Sequence, residues 1–299
     1  MRSTGISWPS TDWGFPGDGH DPEREWGKLT STNTYEGHRV IVSGGGGAGM
    51  GAAVVRQLKP LGAEIHVIDL KEPPVDVAGY HSTDLREPDA IGAAVDAVGG
   101  RIDALFNCAG LPGGRFSDLD TMLVNFVGQR HLADLVVERM GEGGAIASIS
   151  SGAGASWMAN VEKWKPLVTT EGFAAGRKWL EEHPEEIASG YAPSKEVIIV
   201  WTVWRSLALA ERGIRINCTL PGPTDTPMMP DFEEQMGKEF MDKYPIPLGR
   251  RQTADEQAAP LLFLNSPAAS AITGESILTD GGTMAALAVG TLDVSAFGF

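Results

Sequence analysis

Tyr191 and Lys195, in the stretch SGYAPSKEVIIVW, carry the clearest chemical signal in the sequence. Residues four apart lie on one face of a helix, one turn from each other. A phenol has a reference pKa of about 10, and a nearby ammonium group favours its ionised form, so this pair could exchange a proton near neutral pH. The competing interpretation is that both side chains lie along apolar surface with their polar tips in water.

A glycine cluster, SGGGGAGMG, is the second candidate site. It lies between an apolar run, RVIVS, and a segment with helical spacing, GAAVVRQLKPL. Its glycines follow the pattern G-x-x-x-G-x-G, namely Gly45, Gly49 and Gly51. Glycine permits a tight turn and a close approach of backbone N–H groups to a pyrophosphate, and the N-terminus of the following helix favours that anion. The position between strand and helix therefore predicts a dinucleotide-binding loop rather than a flexible linker.

The next apolar run, AEIHVIDL, bears on the choice of cofactor because it ends at Asp69. A carboxylate there can accept hydrogen bonds from a ribose diol and would repel a 2′-phosphate. Met50 in the glycine loop leaves no arginine there to receive that phosphate, and Lys71 is the one residue that could weaken the preference. The sequence predicts NAD as the cofactor. The alternative for Asp69 is a solvated strand end.

Apolar runs that alternate with helical patterns must position these residues. After AEIHVIDL the sequence predicts a helix near 87–98, a strand in IDALFNCAG, a helix in DTMLVNFVGQRHLADLVVERM and a strand in GAIASISS. A helix over 191–212 and strands in IRINCTLPG and ESILTDGG follow. Strands that are apolar throughout and separated by helices indicate a parallel sheet buried on both faces. The predicted fold class is α/β, a single-domain Rossmann-type doubly wound parallel sheet with helices on both faces.

Composition limits the class of function. The formal charge of −15 argues against nucleic acid or an anionic membrane surface as a partner. No apolar run reaches the roughly 18–20 residues of a membrane span, and the start of the chain lacks the apolar stretch of a signal peptide, so we expect a cytoplasmic protein. Cys108 and Cys218 stand in strand-like contexts as buried hydrophobes. The six histidines show no metal-ligand spacing, so no metal site is predicted.

Taken in order, these motifs resemble those of the classical short-chain dehydrogenase/reductase family over about residues 38–284. The glycine loop resembles that family's T-G-x-x-x-G-x-G, except that Gly44 stands where threonine is usual. NCAG, MLVNFVG, ISSGAG, YAPSK, PGPTDTPM and TDGG match its later motifs, and STDL matches the segment that contacts adenine. An insert between Ser151 and Tyr191, together with the loop SGGGGAGMG, resembles the 3α-hydroxysteroid dehydrogenase/carbonyl reductase branch.

The resemblance implies interconversion of an alcohol and a ketone by hydride exchange with NAD(H). It implies four catalytic residues: Asn125, Ser151, Tyr191 and Lys195. Tyr191 would be the general acid/base, and Lys195 would lower its pKa and hold the nicotinamide ribose. Ser151 would bind the substrate oxygen, and Asn125 would hold a water that links Lys195 to solvent. The residues implied for cofactor binding are Gly45, Gly49, Met50, Asp69, Asp84, Leu85, Asn107, Ala109, Gly110, Tyr191, Lys195, Pro221, Gly222, Thr224 and Thr226.

The predicted organisation is an irregular N-terminal arm over 1–35, a dinucleotide-binding and catalytic domain over 36–284, and a C-terminal tail over 285–299. Within the domain, we expect a substrate loop over 226–245 and an insert over 152–190, with a helix near 172–183, over the cleft or over the helix that starts at Tyr191. Such an insert would shape a roomy apolar pocket for a bulky alicyclic secondary alcohol, steroid- or terpenoid-like. It would also compete with the family's usual helix interface, so we expect a homo-oligomer, either a dimer or, if the arm wraps a neighbour, a tetramer.

Two functions of other classes compete with this one. A serine hydrolase built on Ser151 would need a G-x-S-x-G elbow and a suitably placed histidine, and the sequence has neither. The remaining alternative is a redox sensor that binds NAD(H) without turnover. Such proteins commonly lose the tyrosine or the lysine, whereas this chain retains all four catalytic positions.

Overall fold

Seven parallel strands form the sheet that carries the site in the computed structural model, which describes residues 35–292. The strands of the chain are β1 (Arg39–Ser43), β2 (Glu64–Asp69), β3 (Gly79–Ser82), β4 (Ala104–Asn107), β5 (Ala145–Ile149), β6 (Arg215–Pro221), β7 (Thr224–Asp225), β8 (Gln252–Thr253) and β9 (Ser276–Thr279). β7 and β8 pair separately, and the large sheet has the order β3-β2-β1-β4-β5-β6-β9. Strand order therefore changes direction between β1 and β4, which creates a crevice at their carboxyl ends.

Helices cover both faces of this sheet. They are α1 (Met50–Leu58), α2 (Pro88–Val98), α3 (Asp118–Met122), α4 (Gln129–Val137), α5 (Val161–Val168), α6 (Gly172–Glu182), α7 (Tyr191–Ala210), α8 (Met229–Met236), α9 (Lys238–Asp242), α10 (Ala254–Asn265) and α11 (Thr283–Ala288). A π-helical segment, Leu123–Gly128, joins α3 to α4 without a break. Single 3₁₀ segments are Lys59–Leu61, Gly152–Asn160 and Pro267–Ala269.

A hydrophobic core lies on each face of the sheet. Ile41 and Leu105 belong to the core formed with α2 and with the helices from α3 to α7. Val42 and Phe106, their neighbours along the same strands, belong to the core formed with α1 and α10. Successive residues of a strand point to opposite faces, so strands buried on both sides must be apolar at nearly every position. Strands that are apolar throughout were the pattern that predicted an α/β fold with a parallel sheet, and this fold class is confirmed.

Several elements of the structure were not predicted from the sequence, among them β3, α5 and α10. β3, with the sequence GYHS, is an edge strand and lacks the apolar run of a central one. α5 lies in the insert, where only the helix that corresponds to α6 was predicted. α10 carries Pro260 in its interior, a residue that usually ends or bends a helix.

Two predicted segments fall wholly or partly outside the described residues. The N-terminal arm over 1–35 lies outside them except for Tyr35, whose buried hydroxyl donates to the Leu262 carbonyl over 2.5 Å. The predicted C-terminal tail begins inside α11, and residues 293–299 lie outside the described part of the chain. Within residues 35–292, no helix is both long enough and apolar enough to cross a membrane, and no group of three or more metal-ligating side chains occurs.

Candidate active site

The carboxyl ends of β1, β4, β5 and β6 lie at one edge of the sheet, and the predicted site residues follow them. Ligands of open parallel sheets bind in the crevice outside such strand ends. The glycine loop follows β1, Ser151 lies just beyond β5, and the first turn of α7 carries Tyr191 and Lys195. The fold therefore brings residues that are distant in sequence to a common crevice.

A strained turn places Tyr191 at the first position of α7. Ser189 and Gly190 have φ angles of 74° and 57°, and Ser189 is the one non-glycine residue with positive φ in the described part of the chain. The left-handed region costs a non-glycine residue about 1–2 kcal/mol. Local strain of this kind persists where surrounding structure enforces it, and it concentrates at functional sites.

Lys195 lies beneath Tyr191 and is nearly inaccessible to solvent, with 4% of its surface exposed. Its Nζ donates to the Ile149 carbonyl over 3.0 Å and stands 5.4 Å from the centre of the Tyr191 ring. Burial lowers the pKa of Lys195 to about 8, partly offset by the Cys108 and Cys218 thiols. The ammonium group is therefore held in a dry position where a further hydrogen-bond acceptor or negative charge would stabilise it.

The pKa of Tyr191 differs from the sequence-based expectation. Burial raises it, and a hydrogen bond with the Ser151 side chain lowers it in part. We expected Lys195 to lower this pKa, but desolvation of the phenol is the largest effect on it. Tyr191 is therefore a phenol at neutral pH, able to act as an acid, and it needs further positive charge to act as a base there.

The two serines after β5 differ in burial and in hydrogen-bond partners. Ser150 is buried, and its Oγ donates to the Lys195 carbonyl over 2.7 Å. Ser151 is partly exposed, accepts a hydrogen bond from the Ala153 N–H over 3.1 Å and reaches Tyr191. Of the two serines, Ser151 is therefore the more accessible, and Ser150 holds the backbone of α7.

Asn125 lies in the π-helical segment and is fully buried. Its Oδ1 accepts from the Leu111 N–H over 2.7 Å, and its Nδ2 donates over 3.0 Å to both the Leu111 carbonyl and the Ser194 Oγ. Ser194 in turn donates to the Tyr191 carbonyl over 2.6 Å. These contacts of the Asn125 side chain fix the segment after β4 against α7, and the water at Asn125 stays a prediction.

The glycine loop is shaped for close approach of backbone and ligand. A Cβ on Gly46 would collide with the Lys71 carbonyl, and a Cβ on Gly51 would collide with the Gly44 carbonyl, so both positions require glycine. Gly49, the residue before α1, would direct a Cβ into open space with nothing within 4 Å. The loop therefore presents an open cradle of backbone at a helix N-terminus, which fits a pyrophosphate.

Asp69 ties this loop to the end of β2. Its Oδ2 accepts from the Gly46 N–H over 2.8 Å, and its Oδ1 accepts from the Lys71 N–H over 2.9 Å. Each carboxylate oxygen has a second lone pair and can still accept a ribose hydroxyl. Met50, the first residue of α1, is only partly buried and packs against the core formed with α1 and α10. The arrangement fits the adenosine side of a dinucleotide.

Other predicted cofactor residues have partners inside the protein. Both oxygens of Asp84 accept from the Arg86 guanidinium, at 2.6 Å for the shortest pair, which lowers the pKa of this carboxyl. Leu85 is buried next to it. Asn107 is also buried, and its Nδ2 has no partner among the described residues. A buried amide that lacks a partner is costly, so Asn107 is the predicted residue with the strongest need for a further acceptor.

The residues after β4 approach the catalytic pair. The Ala109 carbonyl accepts from the Gln129 side chain, and a Cβ on Gly110 would lie 3.4 Å from the Asn125 Oδ1 and 3.9 Å from the Lys195 Nζ. Gly110 thus lies beside the buried lysine.

The turn after β6 forms the opposite wall of the crevice. Pro221 ends β6, and a Cβ on Gly222 would lie 2.9 Å from the Cα of Asp280, in the segment TDGG. Thr224 is buried and donates to the Gly222 carbonyl over 2.9 Å. Thr226 is partly exposed at the start of the predicted substrate loop. Of the two threonines, only Thr226 has an accessible side chain.

The predicted substrate loop, residues 226–245, folds as α8 and α9 and contacts the catalytic residues. The Phe232 ring packs edge-on against Tyr191, with 5.0 Å between ring centres. Asp231 pairs with Arg115 over 3.1 Å, and Gln235 donates to the Pro112 carbonyl over 3.4 Å. The loop therefore lies across the crevice and is held to the segment after β4.

The insert packs mainly against the helices that flank the site. Glu196, next to Lys195 in α7, accepts from Asn160 and, over 2.7 Å, from the Trp164 indole. Arg130 in α4, with 2% of its surface exposed, donates to the Leu167 carbonyl, the Thr170 Oγ1 and the Gly172 carbonyl. These contacts hold α5 and the start of α6 against the core of α3, α4 and α7. The 3₁₀ segment Gly152–Asn160 directly follows Ser151.

Arg130→Met should loosen the insert, because it keeps an apolar stem of similar length but removes the donor to the Leu167 carbonyl, the Thr170 Oγ1 and the Gly172 carbonyl. We expect a loss of about 1–3 kcal/mol in the free energy of unfolding and faster proteolysis within residues 161–187. Lys178→Met, on the exposed face of α6, is the matched control and should change stability by less than about 0.5 kcal/mol. Equal stability of the two variants would show that Arg130 does not hold the insert.

Three residues of this region had not been predicted: Phe232, Glu196 and Arg130. Glu196 directly follows Lys195 in sequence, and a carboxylate in the apolar stretch SKEVIIVW was a signal that it has a buried partner. Arg130 is likewise the one basic residue in VNFVGQRHLADLVV. Phe232 had no comparable signal, because its neighbour Tyr191 is distant in sequence.

Comparison with known proteins agrees with this arrangement. A protein-family model described as short chain dehydrogenase matches residues 39–163. A second family model, described as enoyl-(acyl carrier protein) reductase, matches residues 180–284. The interval between the two matches lies inside the insert. The coniferyl-alcohol dehydrogenase of Pseudomonas sp. (strain HR199 / DSM 7063) is 32% identical over 82% of this chain and 96% of its own length.

Two further similarities concern hydroxysteroid dehydrogenases. The 3-alpha-hydroxysteroid dehydrogenase/carbonyl reductase of Comamonas testosteroni is 31% identical over 81% of this chain and 95% of its own length. The crystal structure of the 3-alpha-hydroxysteroid dehydrogenase from Pseudomonas sp. B-0831 complexed with NADH superposes with a TM-score of 0.71. It is 26% identical and covers 85% of this chain and 100% of that chain.

Proposed function

This chain belongs to the short-chain dehydrogenase/reductase family and is an oxidoreductase for alcohol and ketone substrates, and we propose that it interconverts a bulky alicyclic secondary alcohol and its ketone with NAD(H). The observation that carries the proposal is the buried Lys195 ammonium, which donates to the Ile149 carbonyl at the end of β5 and lies 5.4 Å from the Tyr191 ring centre, with Ser151 two residues beyond that carbonyl. When bound, the nicotinamide supplies the hydride acceptor or donor.

Each catalytic side chain has a distinct task in this proposal. The Tyr191 hydroxyl gives its proton to the ketone oxygen in reduction and takes it back from the alcohol in oxidation. Ser151 holds the substrate oxygen by a hydrogen bond, where negative charge develops. Lys195 holds the nicotinamide ribose and stabilises the tyrosinate through its charge. Asn125 positions the first turn of α7 through Leu111 and Ser194.

The substrate class rests on the apolar surroundings of Tyr191 and on the relatives. Phe232 of the substrate loop packs against Tyr191, and Met229 and Met241 of the same loop are buried. One relative is named for a hydroxysteroid and another for coniferyl alcohol, a ring-bearing alcohol of a different type. A panel of steroid, terpenoid, cyclohexyl and aryl allylic alcohols, scored by NADH formation, tests the proposal. Turnover confined to aryl allylic alcohols would replace the alicyclic class.

The cofactor proposal is NAD(H) instead of NADP(H), and Asp69 supports it. We expect kcat/KM with NAD to exceed that with NADP by about ten- to a hundredfold, since the carboxylate at the end of β2 repels a 2′-phosphate in a partly exposed setting. Asp69→Asn should reduce the ratio towards one, because the charge disappears while a carbonyl acceptor remains. Lys71→Gln is the control and should leave the preference for NAD intact. Comparable efficiency of the two cofactors with the native protein would refute the role of Asp69.

The assembly proposal is a homo-oligomer, with a dimer through β9 favoured over a tetramer. β9 is the outer strand of the sheet, and Leu278 on it and Phe263 on α10 are 45% and 40% exposed. The insert lies on part of the surface of α4 and α7 that the family's usual helix interface would use. Light scattering measures the assembly, and a tetramer whose structure shows that standard helix pair would contradict the proposal. The chemistry and composition fit a cytoplasmic enzyme, which cell fractionation would test.

The alternative function, an NAD(H)-binding redox sensor without turnover, differs from the enzyme in one measurable way. A sensor would bind NADH with no alcohol or ketone consumed across the panel. The complete group of Asn125, Ser151, Tyr191 and Lys195 favours the enzyme, since proton transfer needs all of these side chains and cofactor binding alone does not.

A further inference from the structure

Glu196 is a nearly buried carboxylate in α7 that takes no part in the proton transfer proposed above. It directly follows Lys195, and 9% of its surface is exposed. Both of its oxygens accept from the Asn160 Nδ2, over 2.9 and 3.0 Å, and Oε2 also accepts from the Trp164 indole over 2.7 Å. Amide and indole N–H groups are neutral donors. Burying a carboxylate among neutral donors costs more than burying an apolar side chain, so Glu196 fits a role in placing its partners better than a role in stability.

The partners of Glu196 lie where the connection that starts at Ser151 reaches the insert. The 3₁₀ segment Gly152–Asn160 follows Ser151, has nine residues and ends at Asn160. Trp164, in the first half of α5, is fully buried. The Glu196 carboxylate therefore fixes the far end of this 3₁₀ segment, together with α5, against α7.

The near end of the segment is fixed to the same place on α7. The Ser150 Oγ donates to the Lys195 carbonyl over 2.7 Å. A Cβ on Gly154 would stand 2.8 Å from the Lys195 carbonyl carbon and 3.0 Å from the Glu196 nitrogen, so the segment lies directly on the peptide that joins these two residues. Ser151 stands between Ser150 and Gly154 in sequence, and its Oγ accepts a backbone N–H of the segment over 3.1 Å. The direction of the Ser151 side chain thus depends on how the segment lies on α7.

We propose that Glu196 is a positioning residue for the reaction: its carboxylate fixes the 3₁₀ segment to α7 and thereby holds Ser151 beside the first turn of that helix. This role rests on the function proposed above, in which Ser151 binds the substrate oxygen. One stretch of α7 then carries the proton donor Tyr191, the ammonium group of Lys195 and the anchor for the serine. A misplacement of about 1 Å can reduce a rate about a hundredfold, so a loose segment would slow the reaction.

Three variants separate the anchor from other effects of the carboxyl group. Glu196→Leu removes the acceptor of both partners. Asn160→Ala removes only the bond to the segment and leaves the Trp164 indole bonded, so it tests the anchor if Glu196→Leu folds poorly. Glu196→Gln is the conservative variant, because an amide of the same shape can bond both partners once the Asn160 amide is turned over. We expect losses in kcat of about tenfold for Glu196→Leu and about threefold for Asn160→Ala, with Glu196→Gln within about twofold of the native protein.

A double-mutant cycle with Ser151→Ala tests whether Glu196 acts through the serine. Glu196→Leu should lower kcat in the native protein but by less than about twofold in the Ser151→Ala protein, since the effects of residues that act through one group are not additive. The affinity for NADH should stay within about twofold of native in all of these proteins. Equal losses of kcat in the two backgrounds would overturn the proposal, because a carboxylate that only stabilises the fold gives that result. Native kcat in both Glu196→Leu and Asn160→Ala would overturn it as well.

Hydrogen exchange of the backbone amides of residues 152–160 measures the anchor without turnover. We expect exchange at least about fivefold faster in Glu196→Leu and Asn160→Ala, with native rates in β1. Glu162→Gln, which changes an exposed carboxylate paired with Lys165 over 3.4 Å, is the matched control and should keep native exchange and native kcat. Native exchange rates in both anchor variants would refute the anchor. If exchange changes as expected and no member of the substrate panel is turned over, the proposed function fails while the anchor stands.

Discussion

Tyr191→Phe should lose about 10²–10⁴-fold in kcat while its affinity for NADH stays within a factor of about three, because a positioned general acid or base contributes an effect of that size. The phenyl ring keeps its edge-on contact with Phe232 and its place above Lys195, so only the proton-carrying hydroxyl disappears. Steady-state kinetics in both directions and fluorescence titration with NADH measure the two quantities.

Tyr244→Phe is the matched control, since it removes a hydroxyl from the substrate-loop segment without touching the proposed proton path. It should retain kcat within a few-fold of the native protein. A Tyr191→Phe protein that kept its turnover within tenfold of the native protein would show that another group moves the proton.

The pH dependence should follow the same hydroxyl. Burial raises the pKa of Tyr191, so the phenol form predominates at neutral pH and the phenolate fraction grows as pH rises. Oxidation of the alcohol needs the phenolate and should become faster with rising pH, whereas reduction of the ketone needs the phenol and should become slower. kcat/KM profiles in the two directions check this, and profiles that rise together would contradict it.

Lys195→Met should lose at least about a hundredfold in kcat and should also bind NADH more weakly. The methionine fills the same space but supplies neither the charge that favours the phenolate nor a donor for the ribose. The native lysine is buried with a pKa of about 8, and an apolar side chain of similar volume is tolerated at such positions. We therefore expect the variant to fold with an unchanged or higher Tm, which separates the chemical effect from a structural one.

Lys243→Met, an exposed lysine paired with Glu239 over 2.6 Å, is the control for the loss of one positive charge. It should change neither kcat nor NADH affinity by more than about twofold, as exposed ion pairs contribute little. Unchanged NADH binding by Lys195→Met would remove the ribose role and leave only the electrostatic one.

The sequence was informative where local pattern and chemistry coincide. β1 and β2 are short apolar runs that end at the glycine cluster and at Asp69, so strand, loop and carboxylate could be placed together. The crossing from Ser151 to Tyr191 could be inferred only through resemblance, because nothing in 39 intervening residues indicates that the two hydroxyls meet. In both cases the residue types indicated the chemistry, and the fold brought the residues close to each other.

The sequence was less informative where burial decides. The expectation that Lys195 lowers the pKa of Tyr191 considered one charge and left out desolvation of both groups, which the structure shows to be the larger effect. The contacts of Asn125 were hidden for a related reason, since the partners of its amide, Leu111 and Ser194, could not be identified from spacing.

The long connection from Ser151 to Tyr191 has a consequence for how the protein can change over evolutionary time. Extending a flexible connection from about a dozen residues to 39 adds only about 1 kcal/mol of closure entropy to the folded state. The insert offsets this entropy cost because it buries Trp164, Leu167 and Leu180 in the core to which α4 and α7 contribute. Sequence drift in its exposed half can therefore alter the outer shape and the partners of the protein while the two hydroxyls that handle the proton stay where they are.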